Sequence, residues 1–327
     1  MHPLLYALQN CPDQLANVST MRIVSSRLTN LHSNIGRLLQ LRRLVLTKCS
    51  QLTLLPDTLC DLPALTTLTL HRCRTLQRLP DAIGRVGTLS TLTLEECPVL
   101  TQLPDTLGNL ALLQTLQLIW CDALTELPDS MGALASLSTL CLIECQQVTR
   151  LPESIGRLAA LTTLDLCSSM SLTRLPGSVG DLPLLTTLLL TSCYSLTRLP
   201  DSVGNLSSLR TLDLRWSYNL TRLPDSLCNL PAHVSLKLDG CRRLTTLPAV
   251  LWSHDMLGNL SLDGCDLINH ELMSALVDPH CTAQLRKHLL YKLHLQKVLL
   301  VVLRNRQTRT RRLPPELWCI VIMLLQH

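Results

Sequence analysis

Leucine recurs along this chain in a block whose internal spacing changes from three to two and back. In the stretch from Leu65 to Thr88, LTTLTLHRCRTLQRLPDAIGRVGT, the apolar positions Leu65, Leu68 and Leu70 end in alternation. Alternation places successive side chains on opposite faces, so it predicts a short strand with one buried side. The β-branched Thr67, and Thr91, Thr115, Thr139, Thr163, Thr187 and Thr211 in equivalent places, suit an extended, half-exposed backbone. A Leu-Pro pair then forces the residue before Pro80 into an extended conformation. The acid that follows, as in Asp81, Asp105, Asp129 and Glu153, suits the first turn of a short helical segment. Gly84, Gly108, Gly132, Gly156, Gly180 and Gly204 are expected to end that turn in the left-handed conformation; Cys60, Cys228 and Trp252 stand in their place elsewhere.

The block repeats. Pro56, Pro80, Pro104, Pro128, Pro152, Pro176, Pro200, Pro224 and Pro248 follow one another at intervals of 24 residues without a slip. A unit of this size cannot bury its leucines alone, and stacking on its neighbours completes the core. The expected fold is therefore an α/β solenoid: a curved parallel sheet on the concave side and short helical turns on the convex side.

The shared pattern, L-x-T-L-x-L-x-x-C-x-x-L-x-x-L-P-D-[ST]-[LIV]-G-x-L, resembles the leucine-rich repeats of plant intracellular immune receptors. It is also similar to the Ras-group scaffold type, which has Asn at the Cys position. The resemblance implies the fold and a protein-binding role. The nucleotide-binding and signalling domains of the plant receptors have no counterpart in these 327 residues, so a receptor role is not implied.

Four segments follow from where the pattern begins and fails. Residues 1–17 form an N-terminal cap segment. Residues 18–268 form the repeat domain, with about ten units. The first is degenerate: Val18, Met21, Ile23, Ser26 and Leu28 fit it with one residue missing, and His32 replaces the proline. Near the other end His233 and His254 occupy leucine positions. Residues 269–303 read as a helical cap. Residues 304–327 combine a basic stretch, RNRQTRTRR, with a short apolar helix, LPPELWCIVIMLL, that resembles the opening helix of an F-box.

Charge narrows the partners. The net charge of +5 is carried by residues 269–327, which sum to +6, whereas residues 1–268 sum to −1. A nearly neutral body predicts no nucleic-acid binding, which needs a basic surface. The N-terminus lacks the basic start of a secretory signal, and no apolar run is long enough to span a membrane. A cytoplasmic setting is expected, or a nuclear one through residues 304–312. There the cysteines stay free.

Catalytic chemistry finds no support. There is no H-E-x-x-H, no C-x-x-C pair, no phosphate loop and no nucleophile elbow, so neither an enzyme, a metal site nor a cofactor is expected. Cys49, Cys73, Cys97, Cys121, Cys145, Cys193, Cys241 and Cys265 share one repeat position, which Ser169 and Ser217 fill in two further units. A small side chain that turns inward and bonds a neighbouring loop predicts a structural ladder. Arg78, Arg150, Arg174, Arg198 and Arg222 form another column, read as solvated weak ion pairs.

The outward strand positions carry the candidate site. Trp120 and Trp216 share one column, four repeats or about 19 Å apart. Tyr194 and Tyr218 lie just beyond it, and Ile119 and Ile143 add an apolar centre. Glu96, Glu144, Asp165, Asp213 and Arg215 surround them with charge. Exposed aromatics with flanking charge are the composition of a binding hot spot. The expected function is thus a non-enzymatic scaffold that binds a protein on its concave face. The alternative is the substrate-recognition subunit of a ubiquitin ligase, recruited through the C-terminal helix.

Overall fold

The computed structural model describes residues 3–231, 233–248, 260, 261, 264 and 265. The expected helical cap at 269–303, the basic stretch and the F-box-like segment lie outside the described residues.

Eleven parallel strands form one sheet in strict chain order. They are β1 (Thr20–Val24), β2 (Arg43–Thr47), β3 (Thr67–His71), β4 (Thr91–Glu95), β5 (Thr115–Ile119), β6 (Thr139–Ile143), β7 (Thr163–Asp165), β8 (Thr187–Leu189), β9 (Thr211–Asp213), β10 (Ser235–Lys237) and β11 (Leu260–Ser261). Register is fixed by the repeat: Leu68 faces Leu92, and Leu116 faces Leu140, each partner being 24 residues on. A one-residue slip would turn every leucine outward, so burial of one face enforces this pairing. Within one unit Leu65, Leu68, Leu70, Cys73, Leu76, Leu79, Ile83 and Val86 are all at most 1% exposed. The core is thus one continuous leucine column between the sheet and the opposite side of the coil.

That opposite side is built of single turns of 3₁₀-helix, such as Asp105–Asn109 and Asp129–Ala133. Each has the preceding proline as its N-cap in an extended conformation. The glycines behave differently from expectation. Among described residues the only glycines with positive φ are Gly240 and Gly264, so Gly84 through Gly204 are not left-handed. Their role is close approach. A Cβ on Gly84, Gly108 or Gly180 would lie 2.1–2.2 Å from the carbonyl oxygen of Thr106, Ser130 or Ser202 in the next coil. Only a residue without a Cβ lets adjacent turns stack this tightly. Where Cys60 takes the glycine position, the next turn is shortened to Ile83–Arg85 and Ala82 replaces the usual Ser or Thr.

The N-terminal end is closed by helix α1 (Pro3–Asn10), which buries Leu8 completely. His32, in the proline position, caps the 3₁₀ turn Ser33–Arg37 through its Nδ1, which accepts from the Asn34 N–H at 3.1 Å. Near the other end His233 does not fill the leucine site. It is exposed, and Val234 is buried instead.

Candidate functional site

The outward face of the sheet ends in a column of backbone strain. Lys48, Arg72, Glu96, Trp120, Glu144, Ser168, Ser192 and Trp216 all have φ between 51° and 61°, and Gly240 and Gly264 continue the column at 74° and 73°. Each coil uses this left-handed residue to leave the strand and dive into the core. Its N–H still donates to the next coil, as from Trp120 to the Ile143 carbonyl at 3.0 Å and from Trp216 to the Asp239 carbonyl at 2.7 Å. Side chains in this column are thereby held at the rim of the outward face.

The residue after it turns inward. Sγ of Cys145 donates to the Leu118 carbonyl at 3.4 Å, Oγ of Ser169 to Leu142 at 2.9 Å, and Oγ of Ser217 to Leu190 at 2.9 Å. Cys193, Cys241 and Cys265 reach Leu166, Leu214 and Leu238 at 3.2, 3.1 and 3.0 Å. Cys73 and Cys121 make the same contact at 3.9 and 3.7 Å, while Cys49 and Cys97 bond the Thr47 and Glu95 carbonyls of their own coil. A small inward donor thus ties each coil to a buried carbonyl of the preceding one; those of Leu166, Leu190, Leu214 and Leu238 also accept a backbone N–H of their own coil. Burial pushes the thiols of Cys97 and Cys241 up to about 12 and that of Cys141 to about 11. Cys167 also rises to about 12, through burial and then its hydrogen bond with Asp165. None of these four is a thiolate nucleophile at neutral pH.

Trp120 and Trp216 are each 43% exposed, among the larger exposed apolar side chains. Their surroundings differ. Trp216 lies over Gly240, where a Cβ would come within 2.3 Å of the indole. It also meets Tyr218 edge-on, with ring centres 6.4 Å apart. Tyr218 stacks on Tyr194 at 5.0 Å, and the Arg242 guanidinium sits 5.1 Å over its ring. This forms a self-stacked aromatic row whose ring faces are largely spoken for. Beneath it Asp213 is 2% exposed. Burial would raise its carboxyl, but Arg215, bonding both oxygens at 2.7–3.0 Å, holds it below the usual carboxylate range. Lys237 approaches the same carboxylate at 3.9 Å.

Trp120 stands apart from any such row. Among described residues its ring stacks on no other aromatic. Ile119 and Ile143 are directly paired across β5 and β6 and half-buried. Toward the N-terminal end, His71 pairs with Glu95 at 3.0 Å, and Glu96 accepts from Arg72 at 2.7 Å and Arg74 at 3.2 Å. Asp165 accepts from the Cys167 N–H at 3.0 Å, closing its own turn. His71, Glu95 and Glu96 could in principle gather a cation, their ligand atoms lying within 4.8 Å of one another. The two arginines already hold Glu96, which leaves the trio a poor metal site.

The arginine column is less paired than expected. Arg78 meets Asp81 at 3.9 Å and Arg150 meets Glu126 at 3.8 Å, whereas Arg174 has Gly177 where other coils carry an acid.

The chain is 31% identical to the leucine-rich repeat domain of the type III effector XCV3220 (XopL), with a TM-score of 0.61, over 68% of this chain and 77% of that one. It is also similar to the Leptospira interrogans LRR protein LIC12759, at 22% identity and a TM-score of 0.36, over 81% of this chain and 93% of that one. An internalin C2 from Listeria monocytogenes aligns at 19% identity and a TM-score of 0.43, over 63% and 90%. No family model and no curated protein matches the chain. The 24-residue coil, the parallel sheet and the inward ladder define a leucine-rich-repeat solenoid. The chain belongs to the leucine-rich-repeat family. No helix of the described residues is long and apolar enough to cross a membrane.

Proposed function

We propose that this protein is a non-enzymatic interaction module that binds a protein partner on the concave face of its sheet. The observation that carries this reading is the placement of Trp120 and Trp216. Both are 43% exposed, and both sit on the same left-handed rim column, four coils apart. A left-handed backbone is cheapest for Gly or Asn, so an indole there gives the fold no conformational advantage. Large exposed aromatics are the side chains that contribute most at protein interfaces. Cys97, Cys167 and Cys241 are pushed up out of the nucleophilic range, which favours a binding role over covalent chemistry at those thiols.

Hydrogen exchange in the presence of the partner tests this. Protection is expected at the rim N–H groups of β4 to β10, with the 3₁₀ turns on the far side unchanged. Protection confined to the 3₁₀ turns would contradict it.

A further inference from the structure

Seven carboxylates line the described outward face and its rim: Glu95, Glu96, Asp122, Glu144, Asp165, Asp213 and Asp239. Five are satisfied within the protein. His71 serves Glu95; Arg72 and Arg74 serve Glu96; the Cys167 N–H serves Asp165; Arg215 and Lys237 serve Asp213; and Ser261 serves Asp239. The remaining two, Asp122 and Glu144, make no hydrogen bond or ion pair through their carboxylates among the described residues. Oδ1 of Asp122 is moreover shut off from water without a donor. Asp122 directly follows Cys121 and Glu144 directly precedes Cys145, neighbouring rungs of the inward column. They also flank one side chain: Glu144 follows Trp120 in the rim column, and Asp122 lies two residues beyond it in the chain.

We infer that Trp120, Asp122 and Glu144 form a receptor for an arginine side chain presented by a basic segment of the partner protein. The inference rests on the concave face being the binding surface. The parts match the chemistry of that side chain. The half-buried Ile119 and Ile143 suit its methylene stem. The exposed indole offers a π face to the guanidinium, an attraction that strengthens when water is excluded. Two unpaired carboxylates supply the countercharge, and a planar guanidinium can stack and donate to an acid at once. The contrast with Trp216 supports the assignment. There the carboxylate of Asp213 is already neutralised by Arg215 and Lys237, and Arg242 occupies the adjacent ring. The two tryptophans thus present opposite requirements, and a bound segment has one direction in which it fits.

The test uses the full chain labelled with ¹⁵N. The Trp120 indole N–H is followed during titration with a blocked GRLRG peptide and, separately, with GELEG. Saturable shifts with the basic peptide only are expected. Affinity should fall at least tenfold in Asp122→Asn/Glu144→Gln, whose isosteric changes spare the fold, and hold in Leu184→Ala, an exposed residue outside the sheet. Equal binding of the two peptides, or binding unchanged in the double acid variant, overturns the proposal. A gain in peptide affinity after removal of residues 304–327 also overturns it, because the chain's own arginines would then be the occupant. If the natural partner needs both tryptophans but neither carboxylate, the arginine receptor fails while the concave-face reading stands. If it needs no residue on that face, the concave-face reading fails as well.

Discussion

The hydroxyl of Ser217 donates at 2.9 Å to the carbonyl of Leu190, 27 residues earlier, at the position where Cys73 approaches the Leu46 carbonyl only to 3.9 Å. The ladder is therefore uneven, tight from Ser169 onward and loose before Cys145. It follows that one substitution has different costs along it. Ser217→Ala removes the shorter of two bonds accepted by the Leu190 carbonyl, the other coming from the Cys193 N–H at 3.4 Å, and should cost about 0.5–1.5 kcal/mol. Cys73→Ala loses a weak thiol contact and a little volume, so its cost should be smaller. Urea midpoints of the two variants check the order, and equal shifts would show that the ladder bond is not what matters.

Stacking of the 3₁₀ turns sets a second expectation. Gly108 faces the Ser130 carbonyl so closely that an added Cβ would sit 2.2 Å from the oxygen. The neighbour is backbone and cannot rotate away. Gly108→Ala should destabilise by about 1–3 kcal/mol, the usual range for overpacking. Gly87, which has open space around it, should tolerate the same change. Thermal unfolding of both variants separates close approach from a general effect of glycine.

At the rim the sign reverses. Ser168 has φ 59°, a conformation that costs an L-residue about 1–2 kcal/mol relative to glycine. Ser168→Gly should therefore raise stability, by up to about 1 kcal/mol after the greater entropy of glycine in the unfolded chain is counted. A lower urea midpoint would contradict the left-handed assignment.

The Asp213 carboxylate predicts a pH dependence. Its ionisation is held below that of an unfolded aspartate, so its stabilising contribution is present above the ordinary value of about 3.9 and is lost as the pH falls from there through the lower folded value. Asp213→Asn should be destabilising at neutral pH, where it strands Arg215. The gap to wild type should narrow progressively as the pH falls below about 3.9. A gap that stays constant with pH would mean that packing, not charge, is lost.

Much of this architecture is legible in the chain because the coil repeats without a slip. Leu68, Leu92 and Leu116 announce both the strand and its register, and the inward Cys position is marked by residues that are small in every coil. The left-handed residue is not marked in that way. It carries Lys, Arg, Glu, Trp and Ser in turn, and only Gly240 and Gly264 betray the backbone beneath. The more regular glycines at Gly84 to Gly204 draw the eye to a turn end, whereas their constraint comes from the neighbouring coil, which a single unit does not show. Trp120 and Trp216 are legible as outward residues. That one is embedded in an aromatic row and the other stands beside unpaired acids depends on side chains in adjacent coils, and so appears only in three dimensions.

Recognition of a protein by the concave face is proposed to run through its two rim tryptophans. Replacing them with glycine tests this directly, because glycine suits the left-handed backbone and removes only the rings. Partner capture by wild type is compared with capture by Trp120→Gly/Trp216→Gly after urea midpoints show both folded. The double variant is expected to keep its fold and to bind the partner at least tenfold more weakly. Undiminished capture by the double variant would contradict it and place the binding surface elsewhere on the solenoid.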